Sequence, residues 1–204
     1  MKEEHKDILK RYFPAAAMPQ VVASVDSRCF SLFFKPPRRT KLGDFHPPRN
    51  RGDICLITLN QDLHPFQMLI TFVHELAHYD VYQKYGNRVQ PHGDEWKSAF
   101  SNLMRPHLVS AIFPDDVLVQ LKQHLCNISA SSSADLDLLS VLRSYEPRRE
   151  GFVTVEEIPM GADFITERGL LLQKGPRLRK RYKCYCKAKN QCYLVNPLLE
   201  VLPA

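Results

Sequence analysis

The sequence predicts an α+β fold, on three observations. Short apolar or aromatic runs bounded by turn residues are mixed with amphipathic stretches through the first 126 residues. One stretch, from Pro65 to about Tyr85, is long enough for roughly six helical turns. From Gly151 onward the apolar residues recur instead at every second position, between frequent turns. The 204 residues therefore divide into 1–126, a connecting stretch 127–150 and a small basic β module over 151–204. A chain of this length buries roughly 70% of its unfolded surface, enough for one core plus a small module.

The elements follow in order. Residues 2–13 read as a short helix, with Ile8, Leu9, Tyr12 and Phe13 at helical spacing and Pro14 as the stop. Residues 21–23 and 29–34 read as strands, the second ended by Pro36-Pro37, and 39–45 as a third. A turn-rich loop, His46 to Gly52, leads to an apolar strand over 55–59. Pro65 then opens the long helix and Gly86 closes it. On that helix Leu69, Phe72, Val73 and Leu76 form an apolar stripe, while Thr71, His74 and His78 lie on another side. Residues 94–103 form a covering helix with Trp96, Phe100 and Leu103 inward, and 114–125 a further helix. Ser129 to Ser133 reads as a linker, followed by a short helix capped by Asp135 and carrying Leu138, Val141, Leu142 and Tyr145. In the β module the expected strands are 152–158, 162–165, 170–172, 178–186 and 192–195.

Composition narrows the class. Apolar residues make up 44% and charged residues 25%, as in an ordinary globular protein. No run approaches the ~20 apolar residues of a membrane span, and the first residues do not resemble a signal peptide. A cytoplasmic protein is expected, with its six cysteines as thiols. A net charge of +6 permits a polyanionic partner without demanding one.

The chemistry is concentrated in His74-Glu75-Leu76-Ala77-His78. Histidines four apart lie about 40° apart around a helix, so both rings project from one side. A third imidazole would leave one position of a tetrahedral metal open to water, the layout of a catalytic zinc site. Glu75, about 100° round from His74, is placed to act as general base on water at that open position. Two residues compete to complete the set. His92 is favoured, because Gly93 removes a side chain where the backbone must approach the metal; Glu95, about one turn later, is the rival. His46, His64, His107 and His124 stand singly and read as surface or capping residues.

These residues, with His92-Gly93, Trp96-Lys97 and the strand Ile57-Thr58-Leu59-Asn60 before the helix, resemble the SprT-like zinc metalloprotease family. That family includes the Spartan-type DNA–protein crosslink proteases. The resemblance covers most of residues 1–126. It implies a minimal zincin-like fold, one zinc ion held by His74, His78 and His92, and Glu75 as catalytic acid/base. It also implies a protein substrate, including protein bound or crosslinked to DNA. The short-spaced zincin pattern is absent, since Val81 and Lys84 stand where a glycine and a histidine would be needed.

Relatives with a C-terminal zinc ribbon carry paired cysteines, and here the chain departs. Cys184-Tyr185-Cys186 and Cys192 do not make two CxxC knuckles, so Tyr182, Cys184 and Cys186 are expected as the buried face of a strand. The opposite face would present Arg179, Arg181, Lys183, Tyr185 and Lys187, with Lys174, Arg177, Lys180 and Lys189 nearby. Cations with an aromatic among them suit a phosphate backbone and a stacked base, so nucleic-acid contact is expected at Arg177, Arg179, Arg181, Lys183, Tyr185 and Lys187, with DNA the partner that the resemblance implies. Lys35, Arg38, Arg39, Lys41, Arg49 and Arg51 extend that surface or flank the substrate cleft. The expected function is therefore zinc-dependent endopeptidase. A nucleic-acid-binding protein with a structural zinc is the alternative.

Overall fold

A computed structural model describes residues 2–38, 40–50, 52–126, 128, 135–147 and 149–204. The Ser129–Ser133 linker, Arg39 and Arg51 lie outside the described residues. The chain forms two compact units, Met1–Tyr145 and Glu146–Ala204. Both α and β structure are present, as expected, and no described helix is long and apolar enough to cross a membrane.

The first unit begins with α1 (Glu3–Lys10) and α2 (Met18–Asp26). The strand expected at residues 21–23 is thus helix. A proline in the first turn starts it, and Val21 packs fully buried while Val25 lies against the same core one turn later. Three strands follow, β1 (Phe30–Lys35), β2 (Gly43–His46) and β3 (Cys55–Asn60). Their order is β1-β3-β2, with β1 parallel and β2 antiparallel to the central β3. β2 is shorter than the strand expected over 39–45.

The long helix α3 (Pro65–Tyr85) runs as expected from Pro65 to a Gly86 cap with φ 61°. His64 caps its start, accepting from the Phe66 backbone N–H at 3.4 Å. α3 is buried on more than the one stripe the sequence suggests, because the sheet and α4 (Asp94–Met104) both pack on it. Leu69, Ile70, Leu76 and Ala77 are essentially inaccessible. Arg28 ties the start of β1 to α3 by a two-pronged pair with Asp80, at 2.7 and 2.8 Å. α5 (Asp115–Cys126) and α6 (Leu136–Arg143) complete the unit, with Asp135 capping Leu138 N–H as expected. His107 and His124, expected as surface or capping residues, are buried; His124 is held by Asp135 at 2.9 Å.

The second unit is a seven-stranded antiparallel sheet of β4 (Val153–Thr154), β5 (Asp163–Thr166), β6 (Leu171–Gln173), β7 (Arg177–Leu178), β8 (Arg181–Cys186), β9 (Gln191–Val195) and β10 (Glu200–Pro203). The strand expected over 152–158 stops early because Glu157 turns back to accept from Thr154 N–H and Oγ1–H, each at 2.8 Å. The strand expected over 178–186 is broken into β7 and β8 by a tight turn, with Arg179 at φ 49°.

Candidate metal centre

His74 and His78 leave α3 on one side, and the chain reverses at Gly86 to bring His92 back to them. The three Nε2 atoms converge at 3.0 to 3.2 Å from one another. Ligands about 2.0–2.1 Å from a tetrahedral zinc lie roughly 3.3–3.4 Å apart, so this donor set is close to that size. Without an ion, Nε2 lone pairs would face each other wherever the neutral rings carry their one proton on Nδ1. A cation among them removes that conflict. Burial supplies the neutral form that ligands need. It pushes His74 down to about 3 and His78 down to about 4, helped by the neighbouring histidines, and it lowers His92 as well. The residues therefore fit a metal ion.

Among the described residues this group has three members, and no fourth His, Cys, Asp or Glu joins it. Glu95, the rival ligand, is exposed and outside the group. The missing side chain of Gly93 accommodates the Gln90 carbonyl, which a Cβ would meet at 3.0 Å. The strain lies in His92 itself, at φ 60°, a region few non-glycine residues occupy.

Aromatic rings hold the imidazoles. Trp96 lies with its ring centroid 4.6, 5.4 and 4.7 Å from those of His74, His78 and His92. Its Nε1–H donates to the His74 carbonyl at 3.4 Å, and Phe100 stacks behind it at 5.2 Å. On the other side Phe45 of β2 lies parallel to His78 at 6.5 Å.

Glu75 is buried beneath β2. Its carboxyl is raised to about 8, first by burial and then by the negative charge of Asp44; Arg38, Lys41 and the Phe45 backbone N–H work against the rise. The loop cations are thus partly structural. Arg38 binds Asn60 Oδ1 at 2.8 Å and Thr58 Oγ1 at 3.1 Å, while Lys41 pairs with Asp44, which also holds His46 at 3.0 Å. Sequence reasoning missed Gly43 and Phe45 as parts of the site. A glycine within a strand is the available signal for the first, since it marks a close approach.

In the second unit, β8 alternates from Arg181 as expected. Arg181, Lys183 and Tyr185 are exposed and Tyr182, Cys184 and Cys186 buried, with exposed Lys187 following. Cys192 is paired opposite Tyr185 and so lies on the exposed face, away from Cys184 and Cys186. No cysteine joins a metal-holding group among the described residues. Lys174, expected beside the basic stripe, is buried, with Nζ bonded to the Glu156 and Ile158 carbonyls at 2.9 and 2.6 Å. Arg177 is exposed but pairs with Glu156 at 3.3 Å, and Arg179 sits in the β7–β8 turn.

A model of the SprT-like family matches residues 10–115. A protein named Protein SprT from Glaesserella parasuis serovar 5 (strain SH0165) is 34% identical over 84 residues, which is 38% of this chain and 53% of that protein. The chain thus spans about half the length of the curated relative it matches. No solved structure matches.

Proposed function

Because the chain belongs to the SprT-like family, we propose that it is a zinc-dependent endopeptidase with His74, His78 and His92 as ligands of one ion and Glu75 as general base. The observation that carries this is the convergence of three Nε2 atoms, two of them from a helix that also carries the buried Glu75, with no fourth protein ligand among the described residues. A closed set of four would instead have favoured a structural ion. Zinc, when bound, polarises the scissile carbonyl and acidifies water. Glu75 takes the proton of the attacking water and returns it to the leaving amine. Burial and the charge of Asp44 favour its protonated form, which donates to the leaving amine, while a bound cation would favour the ionised form that accepts the proton. Trp96 and Phe45 fix the ring orientations of the ligands.

A polypeptide substrate is supported by the position of β2. It is the outer strand of its sheet, and its Phe45 N–H reaches Glu75. An extended chain laid along that open edge gains main-chain hydrogen bonds while its carbonyl faces the base.

We further propose that the exposed face of β8 contacts DNA, which would direct the enzyme to DNA-associated or crosslinked proteins in the cytoplasm. Arg181, Lys183, Tyr185 and Lys187 supply the charge and a stacking ring.

The test is to incubate zinc-loaded protein with casein and with a histone–DNA mixture, beside Glu75→Gln. Cleavage by the wild type with near-complete loss in the variant, which keeps its zinc, is the expected result. Equal cleavage by both, or a well-folded protein that takes up no zinc, sinks the reading.

A further inference from the structure

Beside the three histidines lies a cavity of about 270 Å³ whose walls differ in kind. His78 and His92 form one side, so it opens directly on the metal centre. Phe45, Val81, Tyr82, Val89 and Trp96 form much of the rest, with Asn87 and Gln90 as the uncharged polar members of the wall. None of the residues lining it is Asp, Glu, Lys or Arg. Sites for whole small molecules run about 300–1,000 Å³, so this volume suits a single side chain.

Its place relative to Glu75 matters. Glu75 lies one turn of α3 before His78, and Tyr82 one turn after it, about 10 Å apart along the helix axis. A peptide whose carbonyl sits between Glu75 and the three histidines therefore brings the side chain next to the scissile bond to the cavity mouth. An apolar side chain gains there by leaving water. A lysine or arginine would lose hydration with no acidic partner in the walls and a cation close by.

We propose that this cavity is a specificity pocket selecting a large apolar residue, of Leu, Met or Phe size, adjacent to the cleaved bond, and rejecting basic ones. The proposal deepens the endopeptidase reading and rests on it. Val89 sets the size of the pocket, since it stands on the return loop outside the helices and is only partly buried.

Two measurements test it. In the first, mass spectrometry maps cleavage sites in a denatured protein digest. Wild type cuts next to Leu, Met or Phe; Val89→Trp shifts cleavage toward small residues, and Val89→Ala admits bulkier ones. Unchanged site preference in both variants overturns the proposal. The second needs no turnover. Amino-acid hydroxamates with Leu, Gly or Lys side chains are titrated into zinc-loaded protein, with fluorescence of Trp96, the one tryptophan of the chain, as readout. The Leu compound should bind roughly 10-fold more tightly than Gly, and Lys no better than Gly. Equal affinities overturn the pocket. Protein that discriminates among hydroxamates yet cleaves nothing refutes the endopeptidase reading and keeps the pocket.

Discussion

Gly43 and Glu75 are in contact so close that a methyl group would not fit between them: a Cβ built on Gly43 lies 2.6 Å from Oε1 of Glu75 and 2.7 Å from Cγ2 of Thr71. β2 therefore covers the Glu75 carboxyl, the proposed general base, and its glycine sets how near the strand can come. Gly43→Ala should push strand and carboxyl apart. Since misplacement of a catalytic group by about 1 Å costs up to roughly 100-fold, kcat/KM should fall 10- to 100-fold while zinc content stays at the wild-type level. Full activity in the alanine variant would show that the contact has no bearing on the base.

Glu75 also predicts how the metal-free protein responds to pH. Its carboxyl is raised from 4.5 to about 8. Between those values the folded chain holds a proton that the unfolded chain has released, so stability is lost as pH rises toward 8. His74 and His78, depressed to about 3 and about 4, act in the opposite sense and withdraw stability as pH falls below 6.5. Urea unfolding of the chelator-treated protein should show greatest stability in the mildly acid range. Glu75→Gln should flatten the alkaline side by a few kcal/mol, on the order of 3. An unchanged alkaline slope in the variant would contradict the burial argument.

His92 combines a proposed ligand with a strained backbone at φ 60°. Replacing it by glycine removes the ring and relieves the strain. Without zinc, His92→Gly should be more stable than wild type by about 1 kcal/mol, allowing for the entropy glycine adds to the unfolded chain. With zinc, the order should reverse, because the ion stabilises only a chain that binds it. Thermal melts of both proteins with and without metal measure this directly.

On the second unit, Arg181→Glu with Lys183→Glu should weaken DNA binding and make its salt dependence shallower by about two ions released. Lys174→Met is the contrasting change. It deprives the Glu156 and Ile158 carbonyls of their donor and should lower the unfolding midpoint of that unit. Unaltered affinity after the double charge reversal would remove DNA from the functional account.

Much of this was readable in the residues, and the failures have physical causes. α3 declared itself through Pro65, Gly86 and its apolar spacing, and the histidine pair came with it. α2 did not, since a three-residue valine and alanine run has no period and only burial of Val21 decides its state. The β7–β8 turn was hidden because Arg179 adopts a positive φ that glycine or asparagine usually signals. The burial of Lys174 was equally invisible: its carbonyl partners belong to the backbone, which carries no sequence code. Likewise the pressure of β2 on Glu75 arises from pairing with β3, a distant segment whose register no local pattern declares.

One arrangement has a bearing on how the molecule comes into being. Two of the three imidazoles ride on a single helix, whereas the third arrives only after the chain has doubled back at Gly86. Two imidazoles alone would hold an ion weakly, and a full set of three exists only once the returning segment has docked. Binding of an ion by all three would thus report that residues 74–92 have closed on themselves.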